Sequence, residues 1–80
     1  MRVRSPWHAA LGKAVREQRH RRQMTQVDLA ARSKLQSTYI SDVERGVRNP
    51  SWSVVVVLCE ALDTSPAKLV SLAERLSSML

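Results

Sequence analysis

Three aromatic residues, two glycines and three prolines leave this chain short of the residue types that build β-sandwiches, so helices are the expected structure. A single cysteine, Cys59, cannot close an internal disulfide, which suits a reducing compartment. Apolar runs are also short. The longest, Val54 to Cys59, falls far below the roughly 20 residues of a membrane helix. Met1, Arg2, Val3 and Arg4 lead into Pro6 and Trp7 without the apolar segment of a secretory signal. No membrane association and a cytoplasmic location are therefore expected. The groupings that support catalysis are missing too. His8 and His20 stand too far apart to share a metal on one helix, Cys59 sits inside an apolar run, and no Gly-rich phosphate loop exists. An enzyme is the least favoured class, and no metal, cofactor or small-molecule effector is expected.

Acidic residues are scarce in one half only. Up to Arg48, eleven Lys/Arg residues face four acids; beyond it, two face three. A basic half joined to a near-neutral half points to a polyanion-binding face and a separate packing or association face. A solvated surface in an Arg-rich proteome would give the same balance.

What the chain does have is helical period and helix punctuation. We expect one all-α domain over residues 1–80, with residues 1–5 as a basic tail. Ser5 and Pro6 fit an N-cap followed by Pro at the first helical position. Trp7, Leu11, Ala14, Val15 and Gln18 then share a face of a first helix reaching about Arg22. Arg19 to Arg22 complement the dipole at its end, although Arg19 lies near the inward face and there needs a partner. Thr25 and Asp28 form a variant capping box before an apolar set of Val27, Leu29, Ala30 and Ala31. A third helix carries Leu35, Tyr39, Ile40 and Val43 inward and stops at Gly46. Its outer face holds Gln36, Ser37, Thr38, Ser41, Asp42 and Arg45.

Pro50 and Ser51 mark a fourth helix to about Leu62, with Trp52, Val55, Leu58, Cys59 and Leu62 at helical spacing. That spacing overrides the strand preference of Val54 to Val57. Ser65 and Pro66 open a fifth helix over residues 66–80. Its seam of Leu69, Leu72, Leu76 and Met79 runs past what one small core needs. Packing on the first and fourth helices already accounts for Leu69 and Leu72, so the homodimer interface expected of Leu72, Leu76, Met79 and Leu80 falls chiefly to the last three.

From Leu11 to about Val70 the chain resembles the lambda-repressor-like helix-turn-helix family, in the style of restriction–modification controller proteins. The resemblance rests on Arg19; M-T-Q-V-D-L-A at Met24 to Ala30; T-Y-I-S-D-V-E-R-G at Thr38 to Gly46; R-N-P-S at Arg48 to Ser51; and L-C-E-A-L at Leu58 to Leu62. It implies a compact five-helix domain whose third helix enters the major groove of double-stranded DNA. On that resemblance Gln36, Ser37 and Thr38 face base edges, with Ser41 and Asp42 on the same face. Gln26 corresponds to a family glutamine that anchors a phosphate or a neighbouring base contact. Tyr39 reads equally as a core residue with a wet tip or as a phosphate contact. Arg45, Arg48 and Asn49 fall in the loop that runs along the DNA backbone, and Arg48 can instead reach guanine. Arg19 and Glu44 correspond to an interior salt bridge. Two departures stand out. Lys34 occupies a left-handed turn position usually held by Gly or Asn, at about 1 kcal/mol. The reading face of the third helix lacks long basic side chains, so phosphate contacts and DNA shape should carry much of the binding.

The expected function is a homodimeric transcriptional regulator on a palindromic operator. It would be governed by its own concentration, because nothing after residue 80 offers a ligand or protease domain. Two other readings remain open: an antitoxin whose apolar last helix holds a toxin, and a protein-interaction module that keeps the fold without binding DNA.

Overall fold

Side-chain caps and left-handed residues decide where each helix begins and ends. The computed structural model describes residues 6–77, which form α1 (Pro6–Arg21), α2 (Gln26–Ser33), α3 (Ser37–Glu44), α4 (Trp52–Ala61) and α5 (Pro66–Ser77). The basic tail, Met79 and Leu80 lie outside the described residues. Thr25 caps α2 by the expected box: its hydroxyl accepts from the Asp28 N–H at 3.0 Å, and the Asp28 carboxylate accepts from the Thr25 N–H at 2.9 Å. Hydrogen bonding to Thr25, from its backbone N–H first and its side chain second, holds the Asp28 carboxyl below its usual range. The Ser51 hydroxyl accepts from the Val54 N–H to open α4, and the Ser65 hydroxyl from the Lys68 N–H to open α5.

The first four helices all end in one way. Gln23 (φ 56), Lys34 (φ 61), Gly46 (φ 75) and Asp63 (φ 54) are left-handed. The residue after each sends its N–H to a carbonyl five residues back: Met24 to Arg19, Leu35 to Ala30, Val47 to Asp42 and Thr64 to Cys59, at 3.0, 3.2, 3.1 and 2.9 Å. This is the Schellman cap, which satisfies the last carbonyls of a helix. Only one of the four positions is glycine, so three accept the left-handed strain of about 1–2 kcal/mol each.

Capped this way, helices too short to persist alone pack into one core. Val15, Leu29, Ile40, Val43, Leu58, Cys59, Leu62 and Leu69 are fully enclosed. Helix α1 packs on α5 and α3, while α2 packs on α3 and α4. The four valines do form helix, with Val55 inward. Four residues of the expected apolar faces meet solvent instead: Trp7, Val27 and Trp52 are 56, 67 and 66% exposed, and Ala31 is exposed as well. The two tryptophans keep the phase of their apolar stripes, but each sits in the first turn of its helix, beyond the edge of a small core. Val27 lies off the narrow side of α2 that Leu29, Ala30 and Ser33 bury. None of the described helices is long and apolar enough to cross a membrane.

Both glycines serve the joint between α1 and α3. A Cβ on Gly12 would stand 2.6 Å from the Glu44 carbonyl oxygen and overlap that of Val43; one on Gly46 would meet the Ala9 Cα at 3.0 Å. Neither obstacle is a side chain that can swing away. Gly12→Ala should therefore destabilise the fold by about 1–3 kcal/mol in urea unfolding, although helix propensity alone favours Ala by about 1 kcal/mol. A stabilised variant would show that α1 and α3 do not meet this closely.

Candidate nucleic-acid interface

Helix α3 buries one side and leaves a stripe on the other. Ile40 and Val43 point into the core. At 100° per residue, Ser37, Thr38, Ser41, Asp42 and Arg45 fall within a sector of about 140° facing away from them. Gln36 is the N-cap of α3, is exposed, and makes no side-chain cap bond. Arg48 and Asn49 are exposed in the loop after α3. The expected reading residues are thus gathered on one convex ridge. A shallow hollow of about 360 Å³ lies elsewhere, between α1 and α5, among Gln18, Arg21, Lys68, Ser71 and Arg75.

The ridge is fixed from beneath by charge. Arg19 donates from Nε to Glu44 Oε2 at 2.7 Å and from a terminal nitrogen to Oε1 at 3.0 Å, with side chains only 8 and 4% exposed. Its other terminal nitrogen donates to the Met24 carbonyl at 2.8 Å. The Gln26 amide nitrogen donates to Glu44 Oε1 at 3.1 Å, as it must, since a carboxylate only accepts. One carboxylate therefore ties together the end of α1, the start of α2 and the end of α3. Gln26, expected at the DNA, is also part of this joint. Two more arginines of the cluster are structurally engaged: Arg21 pairs with Glu17, and Arg22 donates to the Asp63 carbonyl at 2.8 Å.

A second cluster lies on the surface. Asp42 holds Arg45 at 2.5 Å and Arg48 at 3.6 Å, and the Arg48 guanidinium sits 4.8 Å from the Tyr39 ring centroid. Tyr39 is half-buried against the core, so its ring serves the core and Arg48 together. The i,i+3 spacing of Asp42 and Arg45 is visible in the sequence; the return of Arg48 depends on the Gly46 turn. Gly12 was equally missed, although a lone glycine inside a helix signals a packing need.

One expectation is corrected. Leu72 is a core residue where α5 packs on α1, as was expected of it, and at 3% exposure the interface share also expected of it has little surface to use. Leu76 is half-buried against the core and Val70 is exposed on α5. Burial raises the Cys59 thiol above its usual range, with the neighbouring Glu60 charge adding to it, which leaves it an unreactive core group.

Two short helices joined by a left-handed turn, the second presenting a polar ridge, define a helix-turn-helix. The chain belongs to the helix-turn-helix domain family, whose sequence profile matches residues 10–72. It is 41% identical over 61 residues to the control protein C.SmaI of Serratia marcescens, spanning 76% of this chain and 73% of that protein. Among solved structures it is similar to the restriction–modification controller protein C.AhdI of Aeromonas hydrophila, with a TM-score of 0.75, 38% identity, and coverage of 76% of this chain and 92% of that one. It is also similar to the controller protein C.Esp1396I, solved as a tetramer on its natural 35 base-pair operator, with a TM-score of 0.82, 28% identity, and coverage of 89 and 93%. The expected kinship with controller proteins holds.

Breaking the buried joint from one side leaves a charge without its partner. Glu44→Ala should cost about 3–5 kcal/mol in chemical denaturation, whereas replacing Arg19 and Glu44 together with Met and Leu should cost far less. Equal losses in the two proteins would mean that packing, not charge, dominates the site.

Proposed function

We propose that this chain is a sequence-specific DNA-binding regulator of transcription that acts as a homodimer on a two-fold operator. The carrying observation is the outward ridge of α3, flanked by Arg45 and Arg48 and anchored by Arg19 and Glu44, in a chain 41% identical to a control protein. Helix α3 of each subunit enters one of two successive major grooves, about 34 Å apart. Gln36, Ser37 and Thr38 sample base edges. Arg45 and Asn49 contact phosphates, and Arg48 a phosphate or a guanine. Gln26 supports the ridge through Glu44 and reaches the DNA from the start of α2. The operator-bound C.Esp1396I tetramer supports this mode of use. Leu76 supplies the dimer contact, and occupancy follows the monomer–dimer equilibrium.

A mobility shift on the duplex upstream of the protein's own gene, repeated across salt concentrations, is the direct test. Arg45→Ala should weaken operator and scrambled duplex alike and reduce the log–log salt slope by about 1. Arg48→Ala should cost about 1–3 kcal/mol and relax preference at one base pair if it contacts guanine. A salt slope left unchanged by Arg45→Ala would remove Arg45 from the phosphate contacts.

Association is tested separately. Leu76→Asp should move the sedimentation coefficient toward that of a monomer and weaken operator binding at low protein concentration. An intact dimer in that variant would place the interface away from the end of α5.

A further inference from the structure

We propose that Asp42 is a specificity-determining residue: its carboxylate restrains Arg45 and Arg48, so that the ridge binds arbitrary duplex weakly while Arg48 stays aimed for the operator. This inference rests on the DNA-binding reading of α3. Asp42 lies in the reading stripe and meets both guanidinium groups, at 2.5 and 3.6 Å. A carboxylate in the last turn of a helix is repelled by the helix dipole, which opposes the small gain from its i,i+3 pair with Arg45, so local helix stability gains little from it. It also stands where phosphates approach.

Two effects act in the same direction on the specificity ratio. Non-specific binding is almost wholly electrostatic, so it follows the net charge that the ridge presents. With Asp42 among them, Arg45 and Arg48 present one net positive charge rather than two. At about 0.15 M salt one phosphate-neutralising charge is worth about five-fold in affinity, from a log–log slope of about 0.9 per contact. The second effect concerns order. Arg48 is held between the Asp42 carboxylate and the Tyr39 ring, 4.8 Å from its centroid, so less side-chain freedom is lost when it docks. Random duplex, met in many registers, gains little from one fixed guanidinium; a matched site gains fully.

Fluorescence anisotropy of the full chain at about 0.15 M salt tests this. The probes are the duplex upstream of its own gene and a scrambled duplex of equal length and composition. Asp42→Asn should bind the scrambled duplex about five-fold more tightly, with a salt slope steeper by about 1, and bind the upstream duplex no more tightly than the wild type does. Asp42→Glu, which keeps the charge, should retain the weak scrambled binding of the wild type. Equal changes on both duplexes with Asp42→Asn would overturn the proposal, as would scrambled binding by Asp42→Glu as tight as that of Asp42→Asn. A wild-type chain that binds neither duplex would instead sink the regulator reading itself, which separates the two failures.

Discussion

Everything the ridge can do depends on the buried contact between Arg19 and Glu44. Two parallel donor–acceptor bonds between planar groups fix a relative orientation, whereas apolar contact alone lets helices slide by small amounts. The third donor of Arg19 closes on the Met24 carbonyl, just before α2 begins, and Gln26 closes on the same carboxylate from the first residue of α2. Gly12 and Gly46 let α1 and α3 approach until backbone touches backbone. Desolvation of such a pair roughly cancels its attraction, so its contribution is geometric more than energetic. It aligns three helix ends at one point.

Short helices make that alignment necessary. Helices α2 and α3 are 8 residues each, under the length at which a helix persists in water. Repeated left-handed caps end them abruptly and turn the chain back onto the core. Lys34 shows how firmly the turn is set, since a β-carbon is accepted there despite its strain. The strain is tolerated because Leu35, the next residue, docks on the core while its N–H closes the cap.

These devices were unequally legible in the sequence. Caps are local chemistry, so Thr25 with Asp28, Ser51 and Gly46 could be read directly from residue type and spacing. Helical period placed Ile40, Val43, Leu58 and Leu69 inward, yet it placed Trp7 and Trp52 inward as well. Period gives the side of a helix on which a residue lies, not whether the core extends that far along the axis. Leu72 could be read as packing on α1, and its burial leaves only the end of the α5 seam for a partner. The ridge residues were legible as a stripe on α3. Their ties to one another were not, because Arg48 returns to Asp42 and Tyr39 only once the loop after Gly46 has its three-dimensional course.

On the proposed DNA-binding reading, the chemistry of the ridge explains the bidentate joint beneath it. Ser37 and Thr38 have short side chains, and a hydroxyl can meet a base edge only if the helix backbone lies close to the groove floor. A site of this kind tolerates errors of only about 0.5 Å before its hydrogen bonds fail. Long side chains such as arginine can compensate for a misplaced helix; serine and threonine cannot. The long guanidinium groups stand instead at the C-terminal end of α3 and in the loop, where they meet the carboxylate of Asp42. Reach at the rim and short reach at the centre require the helix itself to be placed accurately. That accuracy is what a bidentate charge pair beneath α3, flanked by two glycine contacts, supplies.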